Sequence, residues 1–227
     1  MVTREEFWSI MRAYGSHIWP AQIVFYTVAI VLVGWLFLKP GRFPGLFTKL
    51  FLAVAFAWNS IMFYFTLASG MAGDSHGNYF TGSLFMLVAI LFLVDLFRGK
   101  LHFSLPTVRW QKNALFLLMG LVFCYPVLGF FSGHGFASLI VPGSHPCPTV
   151  ALGLLLLILA LPQVDKGLSI LLIFLAIPFT PFLQIARYAV YEDIILLATG
   201  IYGLVLFVKY WKHDKERADL TGRIAGT

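Results

Sequence analysis

The chain has 227 residues, of which 59% are hydrophobic and only 11% charged, far from soluble composition, where about a quarter of residues are charged. That balance excludes an ordinary soluble globular domain, and two cysteines exclude a disulfide framework. The formal charge of +6 does not signal nucleic-acid binding, because the basic residues fall in short loops between apolar runs, where they act as topology signals.

Residues 1–19 read as an interfacial amphipathic helix. Thr3 and Glu6 form a capping-box pattern, and Phe7, Trp8, Ile10, Met11 and Tyr14 recur at helical spacing, as in a helix lying on a membrane surface. Acidic residues in this stretch, and the lack of an apolar core, argue against a cleavable signal peptide. Seven apolar runs follow, near residues 20–38, 46–70, 78–98, 113–131, 147–164, 167–187 and 190–210. Each is close to the length of about 20 helical residues that crosses a bilayer. The expected fold is an all-α integral membrane protein in three parts: the interfacial helix at 1–19, a seven-helix bundle over 20–210, and a polar tail over 211–227.

Orientation follows from counting bases. Lys39, Arg42, Lys49, Arg98, Lys100, Arg109, Lys112, Lys166, Lys209, Lys212, Lys215, Arg217 and Arg223 all fall on one set of alternate loops, leaving Arg4, Arg12 and Arg187 on the other. The positive-inside rule then places the N-terminus outside and the C-terminus in the cytoplasm. An odd number of crossings is required for that split. The compartment implied is the bacterial inner membrane.

In this topology His17, His76, His134 and His145 share the outer side with Asp74, Cys147, Glu192 and Asp193. His145, Cys147, His134 and His76 are of the types that ligate a soft or borderline metal ion such as zinc or copper. Pro148 fits the first position of the fifth crossing, which makes Cys147 the expected N-cap, with its sulfur at the positive end of the helix dipole. A substrate pathway is expected past Cys124, Asn59, Glu192, Asp193 and Arg187. Intramembrane polar residues are few, and each carries weight. Asn59 and Ser60 suit a helix–helix hydrogen bond. Asp95, three residues before Arg98, suits an interfacial salt bridge. Arg187, Tyr188 and Tyr191 suit a polar outer cluster beside Glu192 and Asp193. Pro178 and Pro181 are expected to kink the sixth crossing, and the semi-apolar stretch 132–142 suits a segment that lids the bundle.

Absences narrow the chemistry. The seventh run has no mid-membrane lysine for a retinal Schiff base, there is no Walker-type phosphate loop, and no helix carries the His-x-x-x-His pair of seven-helix zinc amidases.

Trp19-Pro20-Ala21-Gln22, the Tyr64 to Gly82 region, and Pro146-Cys147-Pro148-Thr149 followed by Gly153-Leu154-Leu155-Leu156 together resemble an uncharacterised family of bacterial multi-pass membrane proteins, a domain of unknown function. The resemblance covers about two thirds of the chain. It implies a seven-helix-like membrane protein and transfers no catalytic residues.

Three functions fit these residues. The first is small-solute or metal-ion transport through an outward-facing Cys/His site. The second is a non-catalytic structural or accessory subunit of a membrane complex. The third is a membrane-embedded enzyme that depends on a metal or on Cys147. The partners implied are the lipid bilayer and no nucleic acid, with a homo-oligomer or a membrane-complex partner left open.

Overall fold

The computed structural model describes residues 3–68, 75–179 and 181–225, and every regular element among them is a helix. Helix α1 runs unbroken from Arg4 to Leu38 with Pro20 inside it, so the amphipathic start and the first apolar run form one rod. Its first turn is closed as the sequence predicts: Glu6 N–H donates to Thr3 Oγ1 at 3.2 Å, and Thr3 N–H to Glu6 Oε2 at 2.7 Å. Helix α2 (Arg42–Trp58) passes directly into a π-helical segment, Asn59–Ala68. Next come α3 (Ser75–Arg98), α4 (Arg109–Phe123) and α5 (Tyr125–Phe131), with α5 bent 56° from α4. A 3-10 turn at Phe136–Ser138 leads to α6 (Pro146–Ile158). Helix α7 (Lys166–Phe174) ends in a second π segment, Leu175–Phe179, which holds Pro178. The chain closes with α8 (Pro181–Tyr188) and α9 (Asp193–Ala225).

Four of these helices are long and apolar enough to cross a membrane, or five if the bent α4–α5 pair is one span. Their outward faces carry large apolar side chains such as Ile23, Val24, Val31, Phe97 and Leu117, which suits contact with lipid. Helix α6 is different. At 13 residues it is roughly 20 Å long, short of the ~30 Å hydrocarbon layer. All of its residues except Cys147 are buried, so it forms the centre around which the other helices pack. Close approach to α2 depends on Gly153, where an added Cβ would meet the Phe56 ring at 3.0 Å.

Basic side chains gather at one end of the bundle. The loops around Arg42, Gly99–Phe103 and Gln163–Gly167 line adjoining surface clefts there. Lys49 Nζ lies 2.7 Å from Asp95 Oδ2, with both side chains nearly buried, and Asp95 also accepts the N–H groups of Lys100 and Leu101. The partner of Asp95 is thus Lys49 from the neighbouring helix. The expected pairing with Arg98 is replaced because Asp95 turns into the α2–α3 seam while Arg98 is exposed. Lys166 and Lys209 sit over the Trp211 and Trp110 rings at 4.8 and 6.0 Å. The opposite end holds the start of α1, the α5–α6 connection and the α8–α9 corner.

Candidate functional site

The start of α6 is fixed by a buried loop. Ile140, Val141, Ser144 and His145 are all buried, so their backbone groups need protein partners. Gly143 adopts φ +94, a left-handed conformation that glycine enters without strain. A Cβ there would lie 2.9 Å from that of Phe25. Thr149 Oγ1 accepts from Gly143 N–H at 2.8 Å and donates to the His145 carbonyl. Asn59, at the start of the first π segment, donates to the carbonyls of Gly143 and Ala55 at 2.9 and 2.7 Å. Tyr14 donates to the Ser144 carbonyl at 2.9 Å and accepts from the Trp58 indole at 3.2 Å. The role expected for Asn59 and Ser60, bonding between helices, is what they perform: Ser60 Oγ donates to the Gly82 carbonyl at 2.7 Å.

His145 is turned into this loop. Its Nδ1 accepts from Val141 N–H at 3.3 Å and lies 3.1 Å from Ser144 Oγ, and its ring meets Tyr14 edge-on at 5.3 Å. Burial pushes the imidazole down to about 3, because a charged ring here would lose its hydration without gaining a counter-ion. His145, and not Cys147, is the N-cap, since the helix begins at Pro146. Cys147 therefore stands in the first turn, two residues further in than Pro148 at the first position would imply.

Two acidic residues at the α8–α9 corner face this end of α6. The Asp193 carboxyl interacts with the Cys147 thiol and the Tyr125 hydroxyl, yet both Asp193 oxygens and Tyr125 Oη lack a formed hydrogen bond. Glu192 is 3% exposed, and its Oε1 lies 3.0 Å from His134 Nδ1. That approach too is without hydrogen-bond alignment, so all four carboxylate oxygens are buried and unsatisfied. The His134 ring is covered by Trp8, with centroids 3.8 Å apart. Trp8 is held in turn by its indole N–H on the Tyr188 carbonyl at 3.0 Å, and Phe7 stacks on Tyr188 at 4.3 Å. Arg187 lies over the Tyr188 ring at 5.6 Å, while Tyr191, expected to join these two, is exposed. Above His134 opens a surface pocket of about 430 Å³ between the start of α1 and the segment Ser132–Ser138.

The expected metal ligands are not brought together. Cys147 meets Asp193, His134 meets Glu192, and His145 is engaged by its own loop; the side chain of His76 and residue Asp74 lie outside the described residues. Among the described residues no three His, Cys, Asp or Glu side chains are arranged to hold a metal ion, so zinc or copper finds no support in the geometry. Cys124 and Cys147 are both free thiols, and Cys124 is exposed at the α4–α5 bend. Thr149, Tyr125, Trp8 and Gly129 complete the site, and nothing local in the sequence marks their roles in it. Thr149 is an ordinary first-turn threonine in sequence, and Tyr125 reads as one more aromatic in an apolar run.

No curated protein and no solved structure matches the chain. A family model described as a family of unknown function, DUF6064, matches residues 4–217, so the chain belongs to that family.

Proposed function

We propose that this protein crosses the bacterial inner membrane seven times, N-terminus outside, and handles a small solute at a proton-linked site on its outer face. Three further passes complete the count beside the four long helices: the bent α4–α5 pair, α6, and α7 with its π segment. Of the three, α6 is enclosed by its neighbours, which is where a segment too short to span the layer alone is tolerated at membrane depth. The gathering of loop bases at one end of the bundle agrees with the positive-inside orientation.

The observation that carries the functional reading is the pair of adjacent acids, Glu192 and Asp193, whose four buried oxygens lack hydrogen bonds beneath a pocket open to the outside. Ionisable groups at such positions are expensive to keep, and they typically mark solute paths or proton relays. Here the relay would comprise His134, Glu192, Asp193 and Cys147, and the two π segments, in α2 and after α7, are of the kind found at functional sites.

The test is solute-dependent proton movement in proteoliposomes that enclose a pH-sensitive dye, screened over a panel of small metabolites. Wild-type protein should move protons with at least one solute, and Asp193→Asn and Glu192→Gln should abolish that movement while still folding. A panel that yields no coupled flux, or variants that retain it, would sink the reading.

A further inference from the structure

Resting on that reading, we infer that the outer pocket binds an anion, with Arg4 and Arg12 as its ligands and Trp8 as the wall against which the rest of the molecule lies. The pocket volume of about 430 Å³ falls in the range of small-molecule sites. Arg4, Trp8 and Arg12 line it from α1, and Ser132, His134 and Ser138 from the facing segment. Arg4 and Arg12 are eight residues apart, about two helical turns, which places both on one side of α1 with Trp8 between them.

Neither guanidinium has an ion-pair or hydrogen-bond partner among the described residues. That matters because this side of the bundle carries only three bases by the sequence topology, Arg4, Arg12 and Arg187. Arg187 sits on the same aromatic cluster, over Tyr188. Two of the three, Arg4 and Arg12, thus line one pocket. Of the nearby carboxylates, Glu6 is folded back onto Thr3, Glu192 faces His134, Asp193 faces Cys147, and Glu5 is the one carboxylate lining the pocket, against two guanidiniums. Uncommitted guanidiniums offer planar, forked donors that match carboxylate, sulfate and phosphate oxygens. An aromatic face between them suits an anion with an apolar body. The Trp8 indole N–H is already bonded to Tyr188, so Trp8 supplies its ring face and not a donor.

The shared chemistry is an anionic oxygen group, carried either by a soluble molecule or by a lipid headgroup of the outer leaflet, and the test separates the two. Thermal unfolding of the full chain in neutral detergent is followed with succinate and with inorganic phosphate at low millimolar concentration, against chloride at matched ionic strength. A saturable rise in Tm is expected, with apparent affinity falling about tenfold in Arg4→Gln or Arg12→Gln and unchanged in Arg98→Gln at the other end. A second arm uses phosphatidylcholine nanodiscs with and without phosphatidylglycerol. A saturable response only to the anionic lipid, lost in the same two variants, upholds the site with the headgroup as its source. No saturable response in either arm, or one that both variants retain, overturns the inference. Asp193→Asn separates it from the functional reading: that variant should keep anion binding while losing coupled proton movement. Binding without any coupled flux in wild type would leave the anion site standing and remove the transport reading.

Discussion

Gly129 and Glu192 share one space. A Cβ at position 129 would lie 2.9 Å from Glu192 Oε1 and 3.4 Å from His134 Nδ1, so the absence of a side chain in α5 is what lets the acid reach the histidine. Glu192 and His134 are drawn from segments far apart in sequence, and Gly129, whose carbonyl accepts the His134 N–H at 3.0 Å, stands against both.

The first prediction follows from that geometry. Gly129→Ala should push Glu192 off His134 and destabilise the protein by about 1–3 kcal/mol, the usual cost of overpacking a filled interior. Gly120→Ala is the matched control, because nothing lies within 4 Å of a Cβ there and alanine is the better helix former. Thermal unfolding in detergent should show Gly129→Ala well below wild type and Gly120→Ala at or above it. Equal effects would mean that the space at Gly129 is not needed.

How much of this was legible beforehand depends on the range of each interaction. The capping box of Thr3 and Glu6 is local, three residues apart, and the sequence pattern finds it. The apolar runs and the alternation of loop bases are likewise properties of contiguous stretches, and they locate the helices. The pairings of the site are not of that kind. Asp193 meets Cys147 across 46 positions and Glu192 meets His134 across 58, by the numbering. Residue type marks them as chemically interesting, but composition cannot say which histidine reaches which acid. Asp95 shows the same limit: local spacing points to its i to i+3 neighbour Arg98, and Lys49 on the adjacent helix takes the contact. The N-cap of α6 lies two residues before Cys147, at His145, because two prolines, at 146 and 148, both fit an early helical position.

The second prediction concerns the clamp on the buried loop. Thr149→Val keeps the shape of the side chain but removes the hydroxyl that serves Gly143 N–H and the His145 carbonyl. Leaving these buried groups unpaired should cost about 1–3 kcal/mol. Thr149→Ser should retain most of that stability. Denaturant unfolding of the three proteins in one detergent checks this, and a valine variant as stable as the serine one would count against the clamp.

The third prediction is a pH dependence of stability with a definite sign. His145 is neutral when folded, its imidazole pushed down to about 3, while an unfolded chain would protonate it near 6.5. Between those values the unfolded state binds the extra proton, so stability must rise with pH. The contribution is fully present above about pH 6.5 and is lost as the pH falls toward 3, by up to about 1.4 kcal/mol per pH unit from this one group. His145→Gln should flatten the acid limb of a Tm against pH profile over that window. An identical acid limb in wild type and variant would show that His145 takes no part in it.

The fourth prediction tests the buried pair at the opposite end. Lys49 Nζ and Asp95 Oδ2 lie 2.7 Å apart with side chains 8% and 7% exposed, so each charge depends on the other to offset its lost hydration. Lys49→Met leaves Asp95 uncompensated and should cost about 3–5 kcal/mol. Asp95→Asn alone should cost in the same direction, since it strands the ammonium and weakens the acceptors for Lys100 and Leu101 N–H. The double variant removes both charges together, and replacing a buried pair with apolar or neutral groups is often close to neutral. Its loss should therefore be smaller than that of Lys49→Met by itself. Simple additivity in the double-mutant cycle would mean that the two groups do not depend on each other.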